Sequence, residues 1–92
     1  MCKHLHIKIK GKVQGVWFRK YTLEKANRLN LLGFVQNKTD GSVYVEVEGN
    51  NTVLKDFVSW LHKGSPLSKV DSVEILEEQN CKGFEKFEIK RL

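Results

Sequence analysis

The run from Ser42 to Glu48 alternates strictly, with Val43, Val45 and Val47 on one side and Tyr44, Glu46 and Glu48 on the other. A period of two belongs to an extended strand with one buried and one solvated face, and a helix would scatter the valines around its axis. Leu5, Ile7 and Ile9 alternate in the same way with His6, Lys8 and Lys10. Two half-buried strands need a common cover, so the chain must build a sheet whose apolar face packs against other elements.

The cover is supplied by two helical patterns. Phe18, Thr22, Ala26 and Leu29 recur at helical spacing, while Arg19, Lys20, Glu24, Lys25 and Arg28 fall largely elsewhere. This predicts a helix from about residue 17 to about 30, with Asn30 as its left-handed C-terminal residue. Leu31-Leu32-Gly33 leads into a second strand carried by Phe34, Val35 and Gln36 to Asn37, and Lys38-Thr39-Asp40-Gly41 supplies turn chemistry that joins it to the 42–48 strand as a hairpin. Gly49-Asn50-Asn51 offers an asparagine N-cap to a second helix defined by Leu54, Phe57, Val58 and Leu61, closed by Lys63-Gly64 and followed by Pro66. Trp60 sits off the main stripe, at its partly buried edge. Val70, Val73 and Ile75, with Leu76 nearby, predict a fourth strand; Gln79 to Gly83 reads as a turn; and Phe87 and Ile89 anchor a fifth strand.

The order β-α-β-β-α-β with a short C-terminal strand predicts an α+β, ferredoxin-like sandwich: an antiparallel sheet with two helices on one face and its polar side toward water. The 92 residues form a single domain, 1–92, with no linker, repeat or low-complexity segment. A net charge of +5 favours anionic partners but does not choose among nucleic acid, acidic lipid and a small charged substrate. No apolar run approaches the roughly 20 residues needed to span a bilayer, and Met1-Cys2-Lys3-His4 leads straight into a strand pattern, so a cytoplasmic monomer away from membranes is expected. Cys2 and Cys81 lack metal-site or redox spacing and are expected to be free, inert thiols. His4 and His6 lie two residues apart on the polar side of the first strand, a spacing that could share a metal, but no third ligand is visible and a solvated face without metal is the expectation.

The chemistry is concentrated in Gly11-Lys12-Val13-Gln14-Gly15-Val16-Trp17-Phe18-Arg19, where a strand ends, a tight loop follows and a helix begins. Backbone N–H groups of such a loop, with the free donors and dipole of the helix's first turn, attract an anion. Gly15 permits positive φ or a close backbone approach. Arg19 adds a planar fork of donors matching phosphate or carboxylate, although alone it would read as a solvated arginine or surface ion pair. Lys10, Lys12 and Lys20 read as a solvated basic rim, and Asp40-Gly41 as turn chemistry. Asn37, at a strand end before a turn, joins this site only if the second strand ends nearby.

These residues resemble a known family. Gly11-x-Val13-Gln14-Gly15-Val16-x-Phe18-Arg19 together with Gly33-Phe34-Val35-x-Asn37-x-x-Asp40-Gly41-x-Val43 is similar to the paired signature of the acylphosphatases, and the resemblance extends over essentially the whole chain. It implies hydrolysis of the carboxyl-phosphate bond of a small acyl phosphate to a carboxylate and inorganic phosphate, without metal or cofactor. It implies that Arg19 binds the substrate phosphate, that Asn37 positions the attacking water, and that the backbone of Gln14, Gly15, Val16, Trp17 and Phe18 forms the phosphate cradle. Phe34 stands where the family usually has tryptophan, and Trp17 occupies a variable position from which it would narrow the pocket mouth or cover the sheet.

Two other readings remain. RNA-binding modules share this element order, and Lys82-Gly83-Phe84-Glu85-Lys86-Phe87 resembles the start of one of their motifs, but it precedes the last strand rather than lying on the third, and Glu46 and Glu48 facing solvent would repel RNA. No nucleic-acid partner is therefore expected. A catalytically silent domain that only binds small anions is the third reading, against which Arg19 and Asn37 both stand.

Overall fold

A computed structural model describes residues 2–91; Met1 and Leu92 lie outside them. The elements are β1 (Cys2–Lys12), α1 (Phe18–Arg28), β2 (Leu32–Asn37), β3 (Val43–Asn50), α2 (Asn51–Lys63), β4 (Lys69–Asn80) and β5 (Phe87–Lys90). They form a five-stranded sheet in the order β4-β1-β3-β2-β5, with α1 packed over β2 and β5 and α2 over β3 and β4. β3 lies between β1 and β2, as a split βαβ crossover requires. The pairs β1–β3, β1–β4 and β2–β3 are antiparallel, while β5 runs parallel to β2, so the short last strand makes the sheet mixed.

The alternating positions pack as their period dictates. Leu5, Ile7 and Ile9 of β1, Val43, Val45 and Val47 of β3, and Val35 of β2 are buried beneath Phe18 and Ala26 of α1 and Leu54, Phe57 and Leu61 of α2. Trp60 packs at the edge of this core, its ring centroid 6.0 Å from that of Phe18. Asn50 caps α2, its side-chain oxygen accepting from the Thr52 N–H at 2.8 Å, and Asn30 adopts φ 58° after α1. The first helix is shorter at both ends than its pattern predicts, because Trp17 is left-handed and the chain turns after Arg28.

The opposite face departs from expectation. Rather than facing water, His4 is fully buried and Glu48 is 2% exposed. The cause is the segment 81–86, which β4 reaches only after continuing through Gln79 and Asn80 instead of turning there. This segment folds back over the sheet, and the backbone N–H groups of Lys82, Gly83 and Phe84 all donate to the Glu48 carboxylate, the latter two at 3.0 Å. The Phe84 ring stacks on His4 at 5.4 Å and meets the edge of Phe34 at 6.0 Å. Burial would raise the Glu48 carboxyl, but the His4 contact and the three backbone donors outweigh it and hold the group at about 2. Burial, with Glu46 accepting the phenolic hydrogen at 2.9 Å, pushes the Tyr44 hydroxyl well above its ordinary range. Glu46 and Glu48 thus do not face solvent as two free carboxylates, since both are engaged within the protein.

The cysteines also differ from expectation. Cys2 and Cys81 form a disulfide, with Cα atoms 5.9 Å apart. Lys3 pairs with Asn80 across β1 and β4, so the antiparallel register brings the two residues at the strand ends together despite 79 residues of separation. Among the described residues no helix is long and apolar enough to cross a membrane.

Candidate active site

The loop that follows β1 is fixed from below and open above. Val13 and Val16 are buried in the core, and the Ser65 hydroxyl, itself buried, donates to the Val16 carbonyl at 2.8 Å. Gly15 has φ 73° and open space where a Cβ would stand, so it is the backbone angle that calls for glycine. Trp17 also has positive φ, 63°, a conformation costing a bulky residue roughly 1–2 kcal/mol. It is the N-cap of α1 without a side-chain cap, and the first helical bond runs from the Tyr21 N–H to the Trp17 carbonyl at 3.0 Å. Among the described residues, the N–H groups of Gln14, Gly15, Val16 and Trp17 donate to no other group. A run of free donors thus leads into the uncapped start of a helix.

Beside this loop lies a cleft of about 320 Å³. Gly15, Trp17, Phe18 and Arg19 line it, and Asn37 lines it from the end of β2. Arg19 is half-buried, Asn37 too, and the Asn37 Oδ1 is a buried acceptor without a partner. Such an orphan costs about 1–3 kcal/mol, which a donor entering the cleft would relieve. The adjacency that connectivity alone leaves open is thus present: Asn37 pairs with Val43 at the same end of the sheet from which the loop emerges, where Ile9 pairs with Val43 on its other side.

The side chains of Gln14 and Val16 do not enter the cleft. Val16 belongs to the core, and the Gln14 amide donates to the carbonyls of Lys38 and Ser42, at 2.8 Å each, fastening the loop to the turn after Asn37. Within that turn the Asp40 carboxylate accepts from the Ser42 hydroxyl at 2.6 Å and the Ser42 N–H at 3.0 Å, and it pairs with Lys8 of β1 at 3.0 Å. The Ser42 bonds chiefly, with Lys8, hold the Asp40 carboxyl well below the usual carboxylate range. Trp17 is 66% exposed at the cleft's rim, with the Lys20 ammonium 5.7 Å from its ring centroid, so it does not cover the sheet.

Ile89 and Arg91, neither of them a predicted site residue, also line the cleft, as do Val13 and Lys20. Gly33 pairs with Phe87 and Gln36 with Lys90, and the residues just past that ladder, Asn37 and Arg91, both line the cleft. Phe87 and Ile89 mark this strand in the sequence, but its parallel partner is not legible there. The described lining residues include no carboxylate, histidine or cysteine, the groups that usually hold a protein-bound metal. Arg19, Lys20 and Arg91 give the cleft cationic groups instead.

The fold and the site define a small ferredoxin-like α+β protein with a basic cleft between a glycine loop and a strand end. A family model described as acylphosphatase matches residues 5–89. An acylphosphatase of Thiobacillus denitrificans is 44% identical over 85 residues, covering 91% of this chain and 96% of that protein. The crystal structure of acylphosphatase from Bacillus subtilis superposes with a TM-score of 0.92 at 35% identity, covering 98% of this chain and 99% of that one. An acylphosphatase structure from Coxiella burnetii gives a TM-score of 0.91 at 31% identity, over 97% and 93% of the two chains. The chain belongs to the acylphosphatase family.

Proposed function

We propose that this chain hydrolyses small acyl phosphates, cleaving the carboxyl-phosphate bond to give a carboxylate and inorganic phosphate. The observation that carries this reading is the meeting of Arg19, the open 14–18 backbone and the unpartnered Asn37 oxygen around one cleft. The Arg19 guanidinium takes two phosphate oxygens, and the loop N–H groups take the others. Asn37 accepts a hydrogen bond from a water and holds it in line with the bond to be broken. The water oxygen bonds to phosphorus, the bond from phosphorus to the acyl oxygen breaks, and the carboxylate leaves with that electron pair. The water's proton passes to a phosphate oxygen of the substrate, so no protein base is needed. Such a reaction depends on positioning and on charge stabilisation, which fixed donors supply.

The substrate is a soluble small molecule and the working unit a monomer. A cytoplasmic setting belongs to the same reading. The test is phosphate release from benzoyl phosphate in the presence of a chelator, for the wild type, Arg19→Gln and Asn37→Ala. Wild-type activity that survives the chelator and falls at least 100-fold in each variant is expected, in line with the loss of a transition-state donor or of water positioning. No wild-type activity would leave an anion-binding domain as the better reading, and full activity in both variants would overturn the assigned roles.

A further inference from the structure

We propose that His4 Nε2, His6 Nδ1 and the Glu46 carboxylate form a binding site for a divalent transition ion, zinc foremost, on the sheet face opposite the helices. One ligand atom from each lies within 4.8 Å of the others. His4 Nε2 is 2.8 Å from Glu46 Oε1, and His6 Nδ1 is 3.7 Å from Glu46 Oε2. Registry sets the cluster: His6 and Glu46 stand opposite one another across β1 and β3, and His4 stands opposite Glu48. Two imidazoles and one carboxylate suit zinc and its neighbours better than magnesium or calcium, which take oxygen ligands almost exclusively.

The surroundings of the two rings carry the inference. A metal-binding imidazole holds its second nitrogen as a donor to a fixed acceptor, which sets the tautomer and aims the free lone pair. His4 Nδ1 is 2.9 Å from Glu48 Oε2, and that carboxylate is itself held by the N–H groups of Lys82, Gly83 and Phe84. His6 Nε2 is 3.1 Å from Gln79 Oε1, while the Gln79 amide nitrogen donates to Glu77 at 2.9 Å, which settles which end of the amide meets the ring. Both histidines therefore have their outer nitrogens committed to acceptors, and both inner nitrogens turn toward Glu46. The Tyr44 hydroxyl, 2.5 Å from His6 Nδ1 and donating to Glu46 at 2.9 Å, stands beside two of the three ligand groups.

An ion here would take the place of the direct contact between His4 Nε2 and Glu46 Oε1. His4 is fully buried under Phe84, whereas the side chains of His6 and Glu46 are 13% and 14% exposed and leave the approach. Lys82 Nζ, 3.9 Å from Glu46 Oε1, is 57% exposed, so it can swing away, and the Lys38 ammonium lies over the Tyr44 ring at 4.8 Å. From His6 to Val13 the chain advances seven residues, about 23 Å along a strand, so an ion here would act on stability rather than on the cleft. The inference is thus independent of the proposed hydrolysis.

The experiment titrates zinc into the chelator-treated, non-reduced full chain by calorimetry, and cobalt(II) by visible absorption. The disulfide keeps Cys2 and Cys81 out of the coordination. Saturable one-to-one binding, the intense absorption of low-coordinate cobalt and a raised thermal midpoint are expected. Gln79→Ala should weaken affinity roughly 10–100-fold as the loss of an outer-shell partner, and His6→Ala and Glu46→Gln should weaken it more. His62→Ala, in the exposed histidine on α2, should change nothing. Thermal melts of the metal-free variants show that each is folded. Absence of one-to-one binding by the wild type, or unaltered binding in folded His6→Ala, would overturn the site.

Discussion

The side-chain amide of Gln14 donates to the carbonyl of Lys38, the residue that follows Asn37, and to that of Ser42 across the same turn. The glycine loop and the strand-end asparagine are thereby held in one register by a single side chain outside the cleft. Each carbonyl keeps a backbone donor of its own, Gly41 N–H at 3.2 Å and Lys38 N–H at 2.9 Å. Removing the amide should therefore cost only about 1–2 kcal/mol of stability. Activity should suffer more, because a displacement near 1 Å between phosphate and water can cost about 100-fold in rate. Gln14→Leu is expected to melt a few degrees below the wild type while kcat for benzoyl phosphate falls roughly 10–100-fold. A variant with unchanged kcat would show that loop and turn keep their register without Gln14.

Trp17 is left-handed, mostly exposed and at the rim of the cleft. A bulky residue held in this conformation without compensating burial points to a role at the site rather than in the core. Asparagine tolerates the same angles, so Trp17→Asn should leave stability within about 1 kcal/mol of the wild type or slightly raise it. The indole offers its face to an acyl group, so KM should rise for benzoyl phosphate and stay unchanged for acetyl phosphate. Equal effects on both substrates would assign Trp17 to loop geometry instead of acyl recognition.

The Cys2–Cys81 bridge closes nearly the whole chain into a loop and ties β1 to the start of the segment over the outer sheet face. In the chain-entropy account a loop of this length contributes roughly 4–5 kcal/mol, which measured values often fall short of. Reduction should lower the urea midpoint markedly while leaving benzoyl phosphate hydrolysis under non-denaturing conditions within about twofold, because the bridge lies at the far end of β1 from the loop. An unchanged urea midpoint on reduction would show that the bridge does not stabilise the fold.

What was legible in the sequence is what is encoded locally. The valine alternation of β3, the apolar stripes of both helices, the Asn50 cap and the left-handed Asn30 each depend on residues within a few positions of one another. The loop and Arg19 were legible for the same reason. Three features depend on registers that no short window contains. The parallel pairing of β5 with β2 brings Arg91 to the cleft that Asn37 lines, the β1–β4 ladder joins Cys2 to Cys81, and the return of 81–86 buries His4 and Glu48. Alternation tells which residues leave the core face, but not whether water or another segment meets them on the other side.

Glu48 supplies the acid-stability test of that last feature. Its carboxylate is held at about 2 by His4 and three backbone donors, below an ordinary value of 4.5. A depressed folded value means that the stabilisation is fully present above pH 4.5 and is lost as pH falls toward 2, because the unfolded chain takes up the proton first. The shift corresponds to about 3 kcal/mol. In chelator-treated protein, the difference in unfolding free energy between the wild type and Glu48→Gln should stay level from pH 7 to about 5 and shrink steadily below that. Amide exchange should quicken at Lys82, Gly83 and Phe84 in the variant at neutral pH, since a neutral amide oxygen is a weaker acceptor for their N–H groups. A difference that stays constant down to pH 2.5, or unaltered exchange at these three amides, would mean that something other than the Glu48 charge holds the segment over the sheet.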